Sequence, residues 1–231
     1  MTDPFNNRSE DFLNRGIKAA VGALPVVGGS LNEFLAFVIG DPAQERRDDF
    51  MRATLERLIK LEGTFEQLKP EALRANEQFH ATFVQSARLS VATASDEKRK
   101  LLQNAILNSA IGTIDENIRQ IFMQFVERLT PLHAAMLKLL NDPAANAVAK
   151  QRGAGVMMGG LGLIVQAALP ILQGNDALSS RLATDLEAYG LLNGANLNVT
   201  MTGQGLMASR TTELGRGFLN FITDPETGEV P

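Results

Sequence analysis

The chain has 231 residues, 45% of them apolar and 21% charged, which supplies a packed core and excludes the disordered class. Its 22 basic and 26 acidic residues leave a net charge of −4, so the whole-chain basic footprint of a nucleic-acid binder is missing. Cysteine is absent, which excludes disulfides, thiolate metal sites and cysteine nucleophiles, and the histidines are His80 and His133 alone.

Residues 1–16 are polar and mix acids with arginine, unlike a secretory leader. Two apolar runs follow, AAVGALPVVGG at 19–29 and FLAFVI at 34–39, interrupted by Asn32 and Glu33. Each is well short of the ~20 residues that span a bilayer. The expectation is a buried apolar hairpin. The alternative is a hairpin that inserts into a membrane or an oligomer, with Leu24, Val26, Phe34 and Phe37 as its contact residues.

Helix punctuation then recurs. Asp41-Pro42, with Gln44 three residues after the aspartate, opens a helix whose seam is Met51, Thr54, Leu58, Leu61, Phe65 and Leu68. That seam could pair with a second copy or pack inside the chain's own bundle. Pro70 starts the next helix, with Leu73, Phe79, Phe83 and Leu89 on its apolar face. Ser95-Asp96 caps another, carrying Leu102, Ala105, Ile106 and Ser109. Thr113 and Glu116 form a capping-box pattern ahead of Ile114, Ile118, Ile121, Phe122, Phe125 and Leu129. Thr130-Pro131 opens a helix with Leu132, Met136, Leu139 and Leu140, closed by Asp142-Pro143. Nothing in 1–142 reads as a strand.

Beyond residue 142 the chain is rich in alanine and glycine. Residues 154–172, AGVMMGGLGLIVQAALPIL, are uncharged and flanked by Lys150 and Arg152. Four glycines, Gln166 and Pro170 weaken a membrane span, so a buried core segment is expected, with a short helix near 161–172. A second helix runs near 176–190, with Leu178, Leu182, Leu186 and Tyr189 on one face and Gly190 as its stop. NLNVTMT at 196–202 alternates like a strand, Gly203-Gln204-Gly205 supplies a turn, and 206–211 is the expected partner strand. Thr211 or Thr212 caps a last helix, with Leu214, Phe218, Phe221 and Ile222 inward, and Asp224-Pro225 ends it.

The expected fold is mainly α. A helical bundle with an apolar N-terminal segment covers 1–128, a winged-helix-like unit with one β-hairpin covers 129–223, and a polar tail covers 224–231. AYGLL at 188–192, the hairpin and TTELGRGFLNFI resemble the C-terminal half of winged helices, over about 90 residues. The whole chain also resembles bacterial helical proteins of the abortive-infection alpha type. That likeness rests on the early Gly/Pro-containing apolar segment, LTPLHAAMLKLLNDP, and Thr212, Leu214, Gly215, Phe218, Leu219, Phe221 and Ile222. It implies a role in bacterial defence against phage and brings no catalytic residue with it.

A DNA-reading winged helix needs lysine and arginine on its recognition helix and wing. Here 153–231 holds three basic residues against seven acidic, and only Arg181 and Arg210 lie where such a reader would place them. His133 and His80 read as packing or capping residues, since neither stands in a nucleophile pattern. Glu77-x-x-His80 is half of a diiron-bundle motif without its second copy. The glycine clusters lack the GxxxxGK[ST] and strand context that phosphate binding requires. No cofactor and no catalytic constellation is expected. The leading expectation is a cytoplasmic, non-enzymatic interaction protein that contacts a protein partner or a second copy of itself. The alternatives are a DNA-binding regulator and a membrane-active effector using 17–39 or 154–172.

Overall fold

A computed structural model describes residues 41–194 and 196–231; the segment 17–39, with Leu24, Val26, Phe34 and Phe37, lies outside them. Internal contacts divide the chain into Met1–Gln44 and Glu45–Pro231. The described helices are α1 (Asp41–Leu61), α2 (Pro70–Ala75), α3 (Glu77–Ala92), α4 (Asp96–Ile111), α5 (Glu116–Arg128) and α6 (Pro131–Asn141). After them come α7 (Ala147–Ala154), α8 (Leu161–Ala168), α9 (Asp176–Ala188), α10 (Gly203–Leu206) and α11 (Glu213–Ile222). Strands β1 (Met158–Gly160) and β2 (Thr200–Thr202) form one antiparallel two-stranded sheet, so the fold is mainly α as expected.

The caps follow the side-chain chemistry closely. Ser95 accepts from the Lys98 N–H at 3.1 Å and Thr212 from the Gly215 N–H at 2.9 Å. At α5 the capping oxygen belongs to Asp115, which accepts from Asn117 N–H at 2.9 Å, and not to Thr113. A carboxylate at the helix start also meets the positive end of the dipole. Helix α1 stops at Leu61, so Phe65 and Leu68 leave the expected seam for a turn and a 3-10 helix, Glu66–Leu68. Its buried line is Phe50, Thr54, Leu58 and Leu61. The helix expected after Pro70 breaks at Asn76, whose side chain caps α3 by accepting from the Phe79 N–H.

Helix α3 differs from its sequence pattern in a second way. Phe79, Phe83 and Leu89 pack at the margin of the core, while Thr82, Ser86 and Ser90 are fully buried at i, i+4 and i+8. Thr82 donates its hydroxyl to Gln78 O at 2.7 Å and Ser90 to Ala87 O at 2.8 Å. The Thr82 and Ser90 hydroxyls are thus satisfied within their own helix while that of Ser86 has no partner, and the small size of all three lets α3 lie close on α4.

The main core runs without interruption from Phe50 of α1 to Ile222 of α11, so the expected bundle and C-terminal unit share one interior. Its centre is aromatic. Phe122 lies 5.7 Å from Phe218 and 5.6 Å from Phe221, and Phe125 lies 5.5 Å from Phe218 and 5.2 Å from Tyr189, all tilted or edge-on. The chain after α11 folds back as a strap. Asp224 pairs with Arg57 at 3.0 Å, Glu226 with Lys60 at 2.5 Å, and Glu229 with Lys138.

The sheet is assembled differently from the expected hairpin. Thr200–Thr202 lies in the stretch expected as a strand, and its partner is Met158–Gly160, forty residues upstream, in place of 206–211. Thr202 ends the strand by accepting from the Gly205 N–H at 3.2 Å, so the expected turn becomes the first turn of α10. An isolated antiparallel bridge pairs Leu192 with Thr211. The alanine- and glycine-rich segment 143–160 holds α7 and β1. Within 154–172, Leu161, Ile164, Val165 and Leu172 are buried as expected, and no helix among the described residues is long and apolar enough to cross a membrane. Gly190 ends the turn after α9 at φ +70°, the left-handed conformation that glycine adopts without strain.

Candidate functional site

The two-stranded sheet carries the clearest functional surface. In register, Met158 faces Thr202, Gly159 faces Met201 and Gly160 faces Thr200. Alternation along the strands turns Gly159 and Met201 inward: a Cβ on Gly159 would meet Val156, Leu163 and Leu206 side chains. Met158, Thr200 and Thr202 therefore share the outer face. Met157 is 92% exposed, more than any other large apolar side chain among the described residues, with Met158 at 63% and Val199 at 50%. A rigid backing holds this face. Gly162 donates to Leu197 O at 2.9 Å, and a Cβ on Gly160 would lie 2.7 Å from that same oxygen. Only glycine lets the β1 backbone approach so closely.

An open groove of about 670 Å³ begins at Gly160 and continues between α8 and the 197–198 backbone. Arg152, Gln166, Gln173, Asp176 and Asn198 bring polar groups to it, and Gln166 already donates to Asp176. A second groove of about 690 Å³ lies between α5 and α11, floored by Ile118, Phe122, Leu214 and Phe221 and edged by Asn108, Thr113 and Glu213.

Arg181 and Arg210, the residues named for nucleic acid, are not brought together on a basic stripe. Arg181 is exposed on α9 and donates to Asp185 Oδ2 at 2.8 Å, a contact that raises its pKa and lowers that of the carboxylate. Arg210 is half-buried and donates to Gly205 O and Met201 Sδ, both at 3.0 Å. Its backbone N–H donates to Leu140 O at 2.9 Å. It therefore fastens α10 and β2 to α6.

One cluster of titratable groups lies inside the fold. His133 Nδ1 accepts the Thr130 N–H at 3.1 Å, so the ring caps α6, in keeping with its sequence reading. Its Nε2 stands 3.6 Å from Asp185 Oδ2, outside hydrogen-bond reach, and has no other partner. Burial pushes the His133 pKa below its ordinary value, with the Asp185 carboxylate opposing. Lys98 donates to Glu127 O at 3.2 Å and to Leu129 O, closing the C-terminal end of α5, and burial brings its ammonium down to about 8. The hydroxyl that hydrogen-bonds to His133 is Thr130 Oγ1, 2.8 Å from Nδ1, and it belongs to the same helix cap. His80 is exposed and packs edge-on against Phe79 at 5.8 Å. Among the described residues no group of three or more histidines and carboxylates is set to hold a metal.

Sequence reasoning missed Met157, Met158 and Val199 as surface residues. Their signal was the pair of methionines directly before Gly159-Gly160, which an apolar run conceals. No family model matches the chain, and no curated protein and no solved structure is significantly similar to it.

Proposed function

We propose that this protein works as a non-enzymatic, cytoplasmic interaction component, and that the outer face of the β1–β2 sheet is where it meets a protein partner or a second copy. The observation that carries this reading is the exposure of Met158 on the sheet and of Met157 and Val199 directly ahead of its two strands, with glycine at 160 letting β1 approach the Leu197 backbone closely. Flexible thioethers suit contact surfaces that adapt to a partner. Burying these three side chains fully is worth on the order of 5 kcal/mol before the costs of association. The neighbouring groove supplies the polar groups that give orientation. The likeness to abortive-infection alpha-type proteins supports a place in bacterial anti-phage defence.

A photo-cross-linking amino acid at position 157 tests the reading, because so exposed a position tolerates substitution without loss of fold. The expected result is protein adducts in cells at position 157 and none at exposed Arg52 on α1. Equal labelling at the two positions refutes it. Salt-sensitive retention on duplex DNA that Arg181→Ala abolishes replaces it with the nucleic-acid reading.

A further inference from the structure

His133 holds its helix cap with the one ring nitrogen that an added proton must occupy. Nδ1 accepts the Thr130 N–H and is therefore bare, which puts the ring's proton on Nε2, facing Asp185. The side chain is 9% exposed, so water cannot take over either role freely. The charged groups acting on the ring are Asp185 and Arg181 from α9 and Lys98 from α4. Asp185 is the attractive one, and its carboxylate is shared with Arg181.

We infer that the His133 cap is a proton-operated joint: protonation at Nδ1 releases the Thr130 N–H from the start of α6 and draws the ring toward Asp185 of α9. The proton comes from solvent and no bond between heavy atoms changes. Once Nδ1 carries hydrogen, it and the Thr130 N–H are two donors face to face at 3.1 Å. The new Nδ1–H finds an acceptor in Thr130 Oγ1, 2.8 Å away, and the cationic Nε2–H closes on the Asp185 carboxylate. The α5–α6 corner thereby exchanges a helix cap for a grip on α9. Burial and the cationic Lys98 and Arg181 make the exchange take place below the ordinary histidine range.

Imidazole nitrogen NMR on the full chain, with backbone amide exchange corrected for intrinsic rates, tests the joint. At about pH 7.5 the His133 ring is expected as the Nε2–H tautomer. On acidification through the ring's own titration, Thr130 protection falls roughly 5-fold in step with it, the fold-change of a ~1 kcal/mol cap. His133→Asn places a non-titrating carbonyl oxygen near the Nδ1 position, and its Thr130 protection stays flat over the same range. An Nδ1–H tautomer at neutral pH, protection that does not follow the ring, or the same acid loss in H133N each overturns the inference. The tautomer measurement needs only the unaltered protein, so it decides even where H133N folds poorly.

Discussion

Gly215 sits in the first turn of α11, where alanine ordinarily strengthens a helix by about 1 kcal/mol over glycine. The structure reverses that sign. A Cβ at 215 would lie 2.2 Å from Leu191 O and 2.6 Å from Thr211 Cγ2. The first is about 1.2 Å inside ordinary contact, and a backbone carbonyl cannot rotate aside. Helix α11 has to retreat, and its start is pinned to that same loop by Thr212 N–H to Leu191 O at 3.1 Å and Thr212 Oγ1–H to Gly190 O at 2.7 Å. Overpacking of this kind costs ~1–3 kcal/mol, and one or two weakened hydrogen bonds add about 1 kcal/mol each. After the propensity gain, Gly215→Ala destabilises by roughly 3 kcal/mol. For a unit of this size that is ~6–12 °C in Tm. Thermal unfolding followed by far-UV circular dichroism measures it, with Gly63→Ala as the control, since nothing lies within 4 Å of a Cβ there. G63A holds or raises Tm by a few tenths to 1 kcal/mol equivalent. A G215A protein as stable as the parent refutes the packing of α11 on the 190–191 turn.

Three further outcomes follow from the core and its charges. Phe122→Ala removes the ring shared by Phe125, Phe218 and Phe221 and costs ~3–5 kcal/mol by urea unfolding; a loss near zero contradicts the aromatic centre. Arg119, 4% exposed, donates to both Glu116 oxygens and to Thr82 Oγ1, and this holds the Glu116 carboxyl down at about 2. A depressed carboxylate adds stability above its unfolded value near 4.5 that is lost as pH falls toward 2, so Arg119→Met flattens stability across that acid window. Lys98 releases its proton near 8 when folded and near 10.5 when unfolded, so unfolding takes up a proton between those values and stability climbs with pH; Lys98→Met abolishes the climb in denaturant titrations.

The parts of the fold that could be read from sequence are those in which one helix decides its own burial. Phe122 and Phe125 of α5 and Phe218, Phe221 and Ile222 of α11 stand at helical spacing, and all are inside. Thr212, Ser95 and Gly190 act at the termini where their chemistry places them. What escaped depends on groups distant in sequence. The buried line Thr82, Ser86, Ser90 looks polar on paper, and two of its hydroxyls are quieted by carbonyls one turn back. Strand β2 alternates visibly, but β1 is three residues of Met-Gly-Gly with no strand propensity of its own. Its conformation is imposed by α8 above it, by Leu197 O beside it and by pairing with residues forty positions away.

The candidate sites divide along the same line. Arg181 and Arg210 drew notice because they stand where a winged helix would carry its recognition helix and wing, yet a cation's availability is decided by its neighbours. Asp185 takes Arg181 from the next helical turn, and a backbone carbonyl with a thioether takes Arg210. Asp185 then serves a second group, because α9 packs on α6 and brings the same carboxylate to 3.6 Å from His133. One acidic side chain thus limits the basicity of the α9 surface while favouring the charge of a buried ring. Its removal has opposite effects on the two. Asp185→Asn frees Arg181 outward, and it lowers the His133 pKa further, since the attraction that opposes burial is gone. A nucleic-acid surface hidden by that ion pair would therefore emerge in D185N as salt-sensitive DNA retention, while the histidine titration moves to lower pH. Retention that stays absent while the titration shifts separates the two roles, and leaves the carboxylate acting on the α6–α9 contact alone.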